Sequence, residues 1–168
     1  HHLPELARRV LAACPQVHFL VAGDGPYRSK LAHEIRSNDL QSQVHLLGAV
    51  PNLDVPQLFA AADIYINPAT VEEFGRVLLE AMACGVPFVS TDGGGGVLAF
   101  TTPRQQEYVT RPNDIENFSG LVVKLLRSPD ERKSLKEEGL NHVQGYSLDI
   151  AAERFIDIIE DRVGSRRT

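Results

Sequence analysis

The chain predicts an α/β fold, a doubly wound parallel sheet with helices on both faces. Three observations carry that prediction. Short apolar runs, too brief for helices, alternate with stretches whose apolar residues recur at helical spacing. Turn-forming clusters of glycine, aspartate and proline follow several of those runs, where a crossover has to begin. Finally, 168 residues, 43% of them hydrophobic, suffice for one such domain and little more.

The elements follow in order. From Leu3 to Cys14 the apolar positions Leu6, Val10 and Leu11 mark an amphipathic helix. Val17 to Ala22 reads as a buried strand, ended by Gly23-Asp24-Gly25-Pro26. Tyr27 to Arg36 is predicted helical and Val44 to Leu47 extended. A short helix from Asp54 to Ala62 precedes a strand over Asp63 to Asn67, and a helix from Gly75 to Cys84 precedes a strand over Val86 to Thr91. The glycine run Gly93 to Gly96 reads as a loop, Glu107 to Thr110 as a short strand and Asp114 to Arg127 as a helix. Two more helices finish the chain, from about Pro129 and from about Ser147 to Val163.

Strands alternating with helices make a parallel sheet covered on both sides. Ligands in such folds lie beyond the carboxyl ends of the strands. Four segments leave those ends and are expected on one rim: Gly23 to Pro26, Gly48 to Asn52, Ala69 to Gly75, and the loop from Asp92. No repeat or linker divides the chain, so residues 1–168 read as one domain. The chain opens on a helix where a βαβ unit would open on a strand. The expectation is therefore that the first strand, and an amino-terminal part before it, are absent.

Composition removes several classes of function. A net charge of −5 argues against broad nucleic-acid binding. No apolar stretch reaches the length of a membrane span, and no secretory signal opens the chain. Cys14 and Cys84 lack paired spacing and read as core residues in a reducing, cytoplasmic compartment. His18, His33, His45 and His142 lack metal-ligand spacing, so no metal is expected. His18 and His45 read as core or edge histidines of apolar strands.

The segment from Val71 to Pro87 carries the chemistry. Glu72 and Glu80 are separated by seven residues in the pattern Glu-x7-Glu, with Phe74-Gly75 between them. Glu80 has Leu79, Ala81 and Met82 as neighbours, and a charge buried among them would be costly without a partner. It is therefore expected to face a ligand. The helix start near Gly75 presents backbone N–H groups that favour a phosphate, and a glycine there lets a ligand come close. Gly75 to Glu80 spans about 7–8 Å of helical rise. Acceptor carboxylates flanking a phosphate-friendly helix start suit a nucleotide sugar, with its ribose hydroxyls, diphosphate and sugar hydroxyls.

An ordered set of motifs then resembles a known family. The set comprises Gly23-Asp24-Gly25-Pro26, Leu46-Leu47-Gly48-Ala49-Val50, the Leu58-to-Asp63 stretch, Glu72-x7-Glu80 with Phe74-Gly75 inside it, and Leu79 to Pro87. Val109 to Asp114 and Tyr146-Ser147 complete it. Together they resemble the carboxy-terminal, donor-binding domain of retaining glycosyltransferases of the two-domain GT-B fold, the "glycosyl transferases group 1" family. The resemblance implies a Rossmann-like half of such an enzyme. It implies that Glu80 accepts hydrogen bonds from the ribose hydroxyls and that Glu72, the catalytic-site residue, binds hydroxyls of the transferred sugar. Backbone around Phe74, Gly75, Arg76 and Val77 would meet the diphosphate or sugar. Val50 to Asn52 would line the base, and Gly23 to Gly25 would border the nucleotide pocket.

The resemblance also implies a UDP- or GDP-linked sugar as substrate, with no separate cofactor and no metal. The acceptor, whether sugar, lipid or small molecule, would sit on the absent amino-terminal domain, which would also carry any peripheral membrane association.

Several departures bear on function. The arginine and lysine that the family places on the diphosphate lie upstream of this chain, so the 168 residues are expected to bind donor weakly and to transfer nothing alone. Glu73 replaces a small residue and reads as a solvated acid. Val97-Leu98-Ala99 replaces a proline-glutamate pattern after the glycine run, and Leu148 stands where tryptophan is common. The alternative function is a non-catalytic nucleotide-binding or interaction domain of the same fold. A dinucleotide oxidoreductase is disfavoured, because the glycine run does not form G-x-G-x-x-G before a helix. A GT-B epimerase or phosphorylase shares the fold.

Overall fold

The computed structural model describes residues 2–71, 75–93, 96–147, 149–150, 152–153 and 156–157. In order these form α1 (Leu3–Ala13), β1 (Phe19–Ala22), α2 (Arg28–Ser37), β2 (Val44–Gly48), α3 (Val55–Ala60), β3 (Tyr65–Asn67), α4 (Arg76–Ala83) and β4 (Phe88–Thr91). They continue as α5 (Gly96–Phe100), α6 (Pro103–Gln106), β5 (Val109–Thr110), α7 (Ile115–Leu126) and α8 (Pro129–Val143), with a 3-10 turn over Gln144–Tyr146. The α/β class and the parallel pairing follow the sequence prediction.

The sheet, however, comes in two pieces. β1 pairs with β2 in parallel, with Phe19 opposite Val44, and the register slips between Val21 and Ala22 so that Ala22 meets Gly48. β3, β4 and β5 form a second parallel sheet, with Tyr65 opposite Phe88 and Ser90 opposite Val109. One hydrophobic core nevertheless serves both. Phe19 of β1, Val44 of β2 and Val89 of β4 pack in a single cluster with Leu6, Ala7 and Val10 of α1, Ile35 of α2, Phe118, Val122 and Leu125 of α7, and Leu135 of α8.

Alternation along β4 explains why its sheet is covered twice. Val89 faces that cluster, while Phe88, one residue earlier, points to the opposite side. There it joins Leu78 and Met82 of α4 and Val97 of α5. Phe59 of α3, Ala81 and Val86 make a smaller third cluster. The β1–β2 sheet differs: Leu20 is 47% and Leu47 43% exposed, so one of its faces lies open.

That open face corrects the reading of Val17 to Ala22 as a buried strand. The strand starts at Phe19, whose N–H donates to Gln43 O at 2.7 Å, and only Phe19 within it is buried. Val17 is spent on the turn out of α1, its N–H donating to Cys14 O. His18 and His45 prove to be edge histidines. His18 Nδ1 lies 3.0 Å from His45 Nε2 across the two strands, with the rings 21° from parallel.

The stretch between the glycine run and Glu107, for which the sequence predicts no element, forms α5 and α6. α6 starts with a local signature: Pro103 at its first position and a Thr102 hydroxyl accepting from Gln105 N–H at 3.1 Å. Gln105 is buried and its Nε2 donates to Phe88 O at 2.7 Å. This anchor shortens the following strand to Val109–Thr110, leaving Glu107 outside it. Tyr108 is fully buried beside it, and its hydroxyl has no hydrogen-bond partner among the described residues. Near the end of the chain, Ser147 Oγ accepts from Ile150 N–H at 3.2 Å. The described residues between 149 and 157 are helical, as predicted for that region.

Candidate functional site

The loops at the carboxyl ends of the strands are tied in two groups. Gly23 N–H donates to Gly48 O at 2.7 Å, which joins the turns after β1 and β2. Thr91 Oγ1 donates to Ala69 O, and Asp92 N–H to Thr110 O at 2.9 Å, which joins those after β3, β4 and β5. Gly93 runs so close to the β3 loop that a Cβ there would lie 2.9 Å from the carbonyl carbon and oxygen of Thr70. Backbone cannot yield as a side chain would, so only glycine fits at that crossing.

α4 starts from this second group. Gly75 is its N-cap, with φ of +63°, a left-handed conformation natural to glycine. A Cβ at Gly75 would also stand 3.2 Å from Leu78 Cδ1, so a side chain there would crowd that leucine as well as strain the backbone. Among the described residues no side chain caps the helix. Leu78 N–H turns back to Gly75 O at 2.8 Å. The amides of Arg76 and Val77, in the first turn, have no partner within the helix. Both side chains are exposed.

Glu80 requires a correction. Its neighbours in sequence are apolar, but α4 buries Leu78, Ala81 and Met82 and turns Val77 and Glu80 outward. Residues three apart share a helix face, so Glu80 lies with Val77 on the solvent side. The carboxylate is exposed, and the expectation of a buried charge in need of a partner does not hold. Instead Glu80 lines a shallow groove of about 240 Å³ together with Leu79, Ala83, Val143, Tyr146 and Ser147. Tyr146 is held from behind: its ring packs edge-on against Phe100, and His142 Nε2 lies 3.0 Å from Phe100 O.

Burial, with the Glu80 carboxylate next in importance, raises the Cys84 thiol above its usual pKa. Glu80→Gln removes one of those two causes while keeping the side chain's size. The thiolate fraction at fixed pH should rise, and alkylation of Cys84 should run faster in the variant at pH 8. Equal rates across a pH series would show that the carboxylate does not reach the thiol.

The remaining predicted site residues are distributed as follows. Glu72, Glu73 and Phe74 lie outside the described residues, as do Gly94 and Gly95. Gly23 and Gly25 are exposed in the turn after β1, where Asp24 Oδ1 accepts from Gly25 N–H at 2.8 Å. Val50 is half-buried and Asn52 exposed before α3. Among the described residues, neither of these two segments is hydrogen-bonded to Arg76, Val77 or Glu80. The structure thus joins Gly23 to the end of β2 and Gly75 to Glu80 along one helix.

The sequence reading passed over Arg28. Its guanidinium Nη2 lies 3.7 Å from where a Cβ on Gly48 would stand. The only signal in the sequence was its place directly after the glycine-rich turn. Among the described residues no three His, Cys, Asp or Glu side chains could hold a metal together. No helix among them is long and apolar enough to cross a membrane.

Comparison with known proteins decides the lineage. The family described as "Glycosyl transferases group 1" matches residues 1–142. The chain belongs to that family. As a group 1 glycosyltransferase sequence it is 33% identical over 160 residues to the GDP-mannose-dependent monoacylated alpha-(1-6)-phosphatidylinositol monomannoside mannosyltransferase of Corynebacterium glutamicum. That match covers 90% of this chain and 41% of the relative. It is 39% identical over 149 residues to the phosphatidylinositol N-acetylglucosaminyltransferase gpi3 subunit of Schizosaccharomyces pombe, with 87% and 32% covered. The chain therefore spans about two-fifths or less of the length of these relatives.

Solved structures match the fold. S. aureus TarM, crystallised with Fondaparinux, alpha-GlcNAc-glycerol and UDP, superposes with a TM-score of 0.84 at 20% identity, over 92% of this chain and 31% of that one. Sucrose-phosphate synthase from Thermosynechococcus elongatus gives 0.82 at 22% identity, over 96% and 42%. The group 1 glycosyltransferase fold is thus a Rossmann-like arrangement of parallel strands with helices on both sides.

Proposed function

We propose that this chain is the donor-binding domain, the carboxy-terminal half, of a retaining GT-B glycosyltransferase that uses a nucleotide-diphosphate sugar. The observation that carries the reading is the start of α4. A left-handed, side-chain-free Gly75 opens a helix whose first amides have no side-chain cap among the described residues, and Glu80 stands about one and a half turns further on, exposed beside a groove. Phosphate oxygens suit the amides of Arg76 and Val77, and ribose hydroxyls suit the carboxylate. Glu72 would take hydroxyls of the transferred sugar. When the nucleoside diphosphate leaves, its growing charge falls on backbone dipoles and on cations supplied with them. The relatives fit this reading, one being named for GDP-mannose as donor and one structural neighbour being crystallised with UDP. The acceptor would be held by the other domain. Because the chain spans 41% of the first of these relatives, no transfer is expected from its 168 residues alone.

A second reading keeps the fold and loses the reaction, leaving a nucleotide-binding or interaction domain. The exposed position of Glu80 favours it to this extent: a solvated carboxylate costs nothing to retain, so its presence is weaker testimony to a working site than a buried one.

Titration of the isotopically labelled chain with UDP, GDP and ADP, alongside Glu80→Ala, tests both. Shifts at Arg76 to Glu80 and at Val50 to Asn52, lost in the variant, are expected for one nucleotide. Silence with all three, in a variant-independent manner, would overturn the donor-domain proposal for this chain.

A further inference from the structure

We infer that Arg28 reads the base of the donor nucleotide and selects guanosine diphosphate over uridine and adenosine diphosphates. The inference rests on the donor-binding reading above and extends it to a residue outside its motifs. Arg28 is the first residue of α2, its N–H bonded to Gly25 O at 3.1 Å across the glycine-rich turn. From there its side chain folds back over the end of β2, placing Nη2 3.7 Å from where a Gly48 Cβ would be. Gly48 itself has φ of +76° and receives the Gly23 N–H. Arg28 therefore links the two turns given to the nucleotide pocket, its backbone bonded to Gly25 and its guanidinium beside Gly48, two residues before Val50.

Three features single this cation out. It makes no ion pair among the described residues, whereas Lys30, in the same turn of helix, lies 3.9 Å from Glu34. The first turn of α2 contains no acid, and a cation at that end is disfavoured by the helix dipole, so local helix energetics do not explain its placement. The neighbouring Tyr27 ring is 61% exposed, with the Lys30 ammonium 5.7 Å from its centroid, so an aromatic face lies at the same turn.

The chemistry then selects the base. A guanidinium presents parallel N–H donors in a rigid fork and accepts nothing. Guanine answers it with two adjacent acceptors, O6 and N7. Adenine places an amino donor beside N7, which faces the fork with a like group. Uracil lacks the paired acceptors on one edge. Inosine diphosphate retains O6 and N7, and 7-deazaguanosine diphosphate loses N7.

The test is a set of affinities measured by chemical-shift titration on the whole chain. GDP and inosine diphosphate should bind at least about fivefold tighter than UDP, ADP and 7-deazaguanosine diphosphate, the lower end for a bidentate contact. Arg28→Ala should bring all five within about twofold of one another, and Arg28→Lys, which keeps charge without the fork, should recover little of the difference. Arg28 is exposed, and an unchanged amide spectrum would show that each variant is folded. A GDP preference that survives Arg28→Ala, or a wild-type preference for UDP or ADP, overturns the inference and leaves the donor-binding reading standing. If no nucleotide shifts the α4 signals, both fall together.

Discussion

Phe88→Ala is expected to destabilise the domain by about 3–5 kcal/mol, the range for removing a fully buried aromatic side chain. Phe88 is 0% exposed and packs with Leu78 and Met82 of α4 and Val97 of α5. The loss has two sources, the transfer free energy of the ring and the cavity left between a sheet and two helices. Small domains have roughly 5–15 kcal/mol in all, so the variant loses about a fifth or more of its stability. The effect should also reach the site, because Phe88 packs against Leu78 and Met82 of α4, the helix that begins at Gly75 and carries Glu80 on its exposed face. Urea unfolding followed by circular dichroism measures it, with Phe88→Leu as the milder companion. A loss under about 1 kcal/mol for the alanine variant would mean that α4 does not depend on this cluster.

Tyr108 should set the alkaline limit of stability. Burial comes first, with the carboxylates of Glu131 and Glu107 behind it, and together they push the phenol up to about 12. In the unfolded chain it ionises near 10. The native state therefore holds the proton more tightly than the unfolded state. That contribution is complete below pH 10 and is lost as pH rises from about 10 to about 12, for a total of about 2–3 kcal/mol. Tyr108→Phe has no proton to lose there and also deletes a buried hydroxyl without a hydrogen-bond partner among the described residues, so its stability at neutral pH should be equal or higher. Unfolding midpoints taken from pH 8 to 11.5 should fall more steeply for the wild type than for the variant. Parallel curves would mean that the phenol does not govern the alkaline transition.

Much of this protein was legible along the chain because its signals are local. The strand at Phe88 to Thr91 reads as apolar whatever surrounds it, and the helix that follows Asp114 announces itself with a side-chain cap that forms, Asp114 Oδ1 to Asn117 N–H at 3.1 Å. Gly75 stood out as a glycine at the start of a helix, and the structure gives it a left-handed backbone there. α6 was equally local, with Thr102 and Pro103 in capping positions, and the signature was simply passed over.

Other features could not have been read, because they depend on which elements become neighbours. Whether an apolar segment is buried depends on what covers it: Leu20 and Leu47 lie in apolar strands and stay exposed, since their sheet is packed on one face. The same logic reversed the environment of Glu80. Its neighbours at 79, 81 and 82 surround it in sequence, yet a helix sends successive side chains some 100° apart, and packing against the sheet chose the opposite face for the core. Arg28 shows the complementary case, two residues twenty positions apart brought together by a parallel pairing and the absence of a side chain at Gly48. By itself, then, the sequence determined the class of fold, the family and the chemistry its residue types can perform, because propensity, period and motif reside in neighbouring residues. Only the tertiary structure decided which of those residues meet solvent and which meet each other, because burial is settled by contacts between distant parts of the chain.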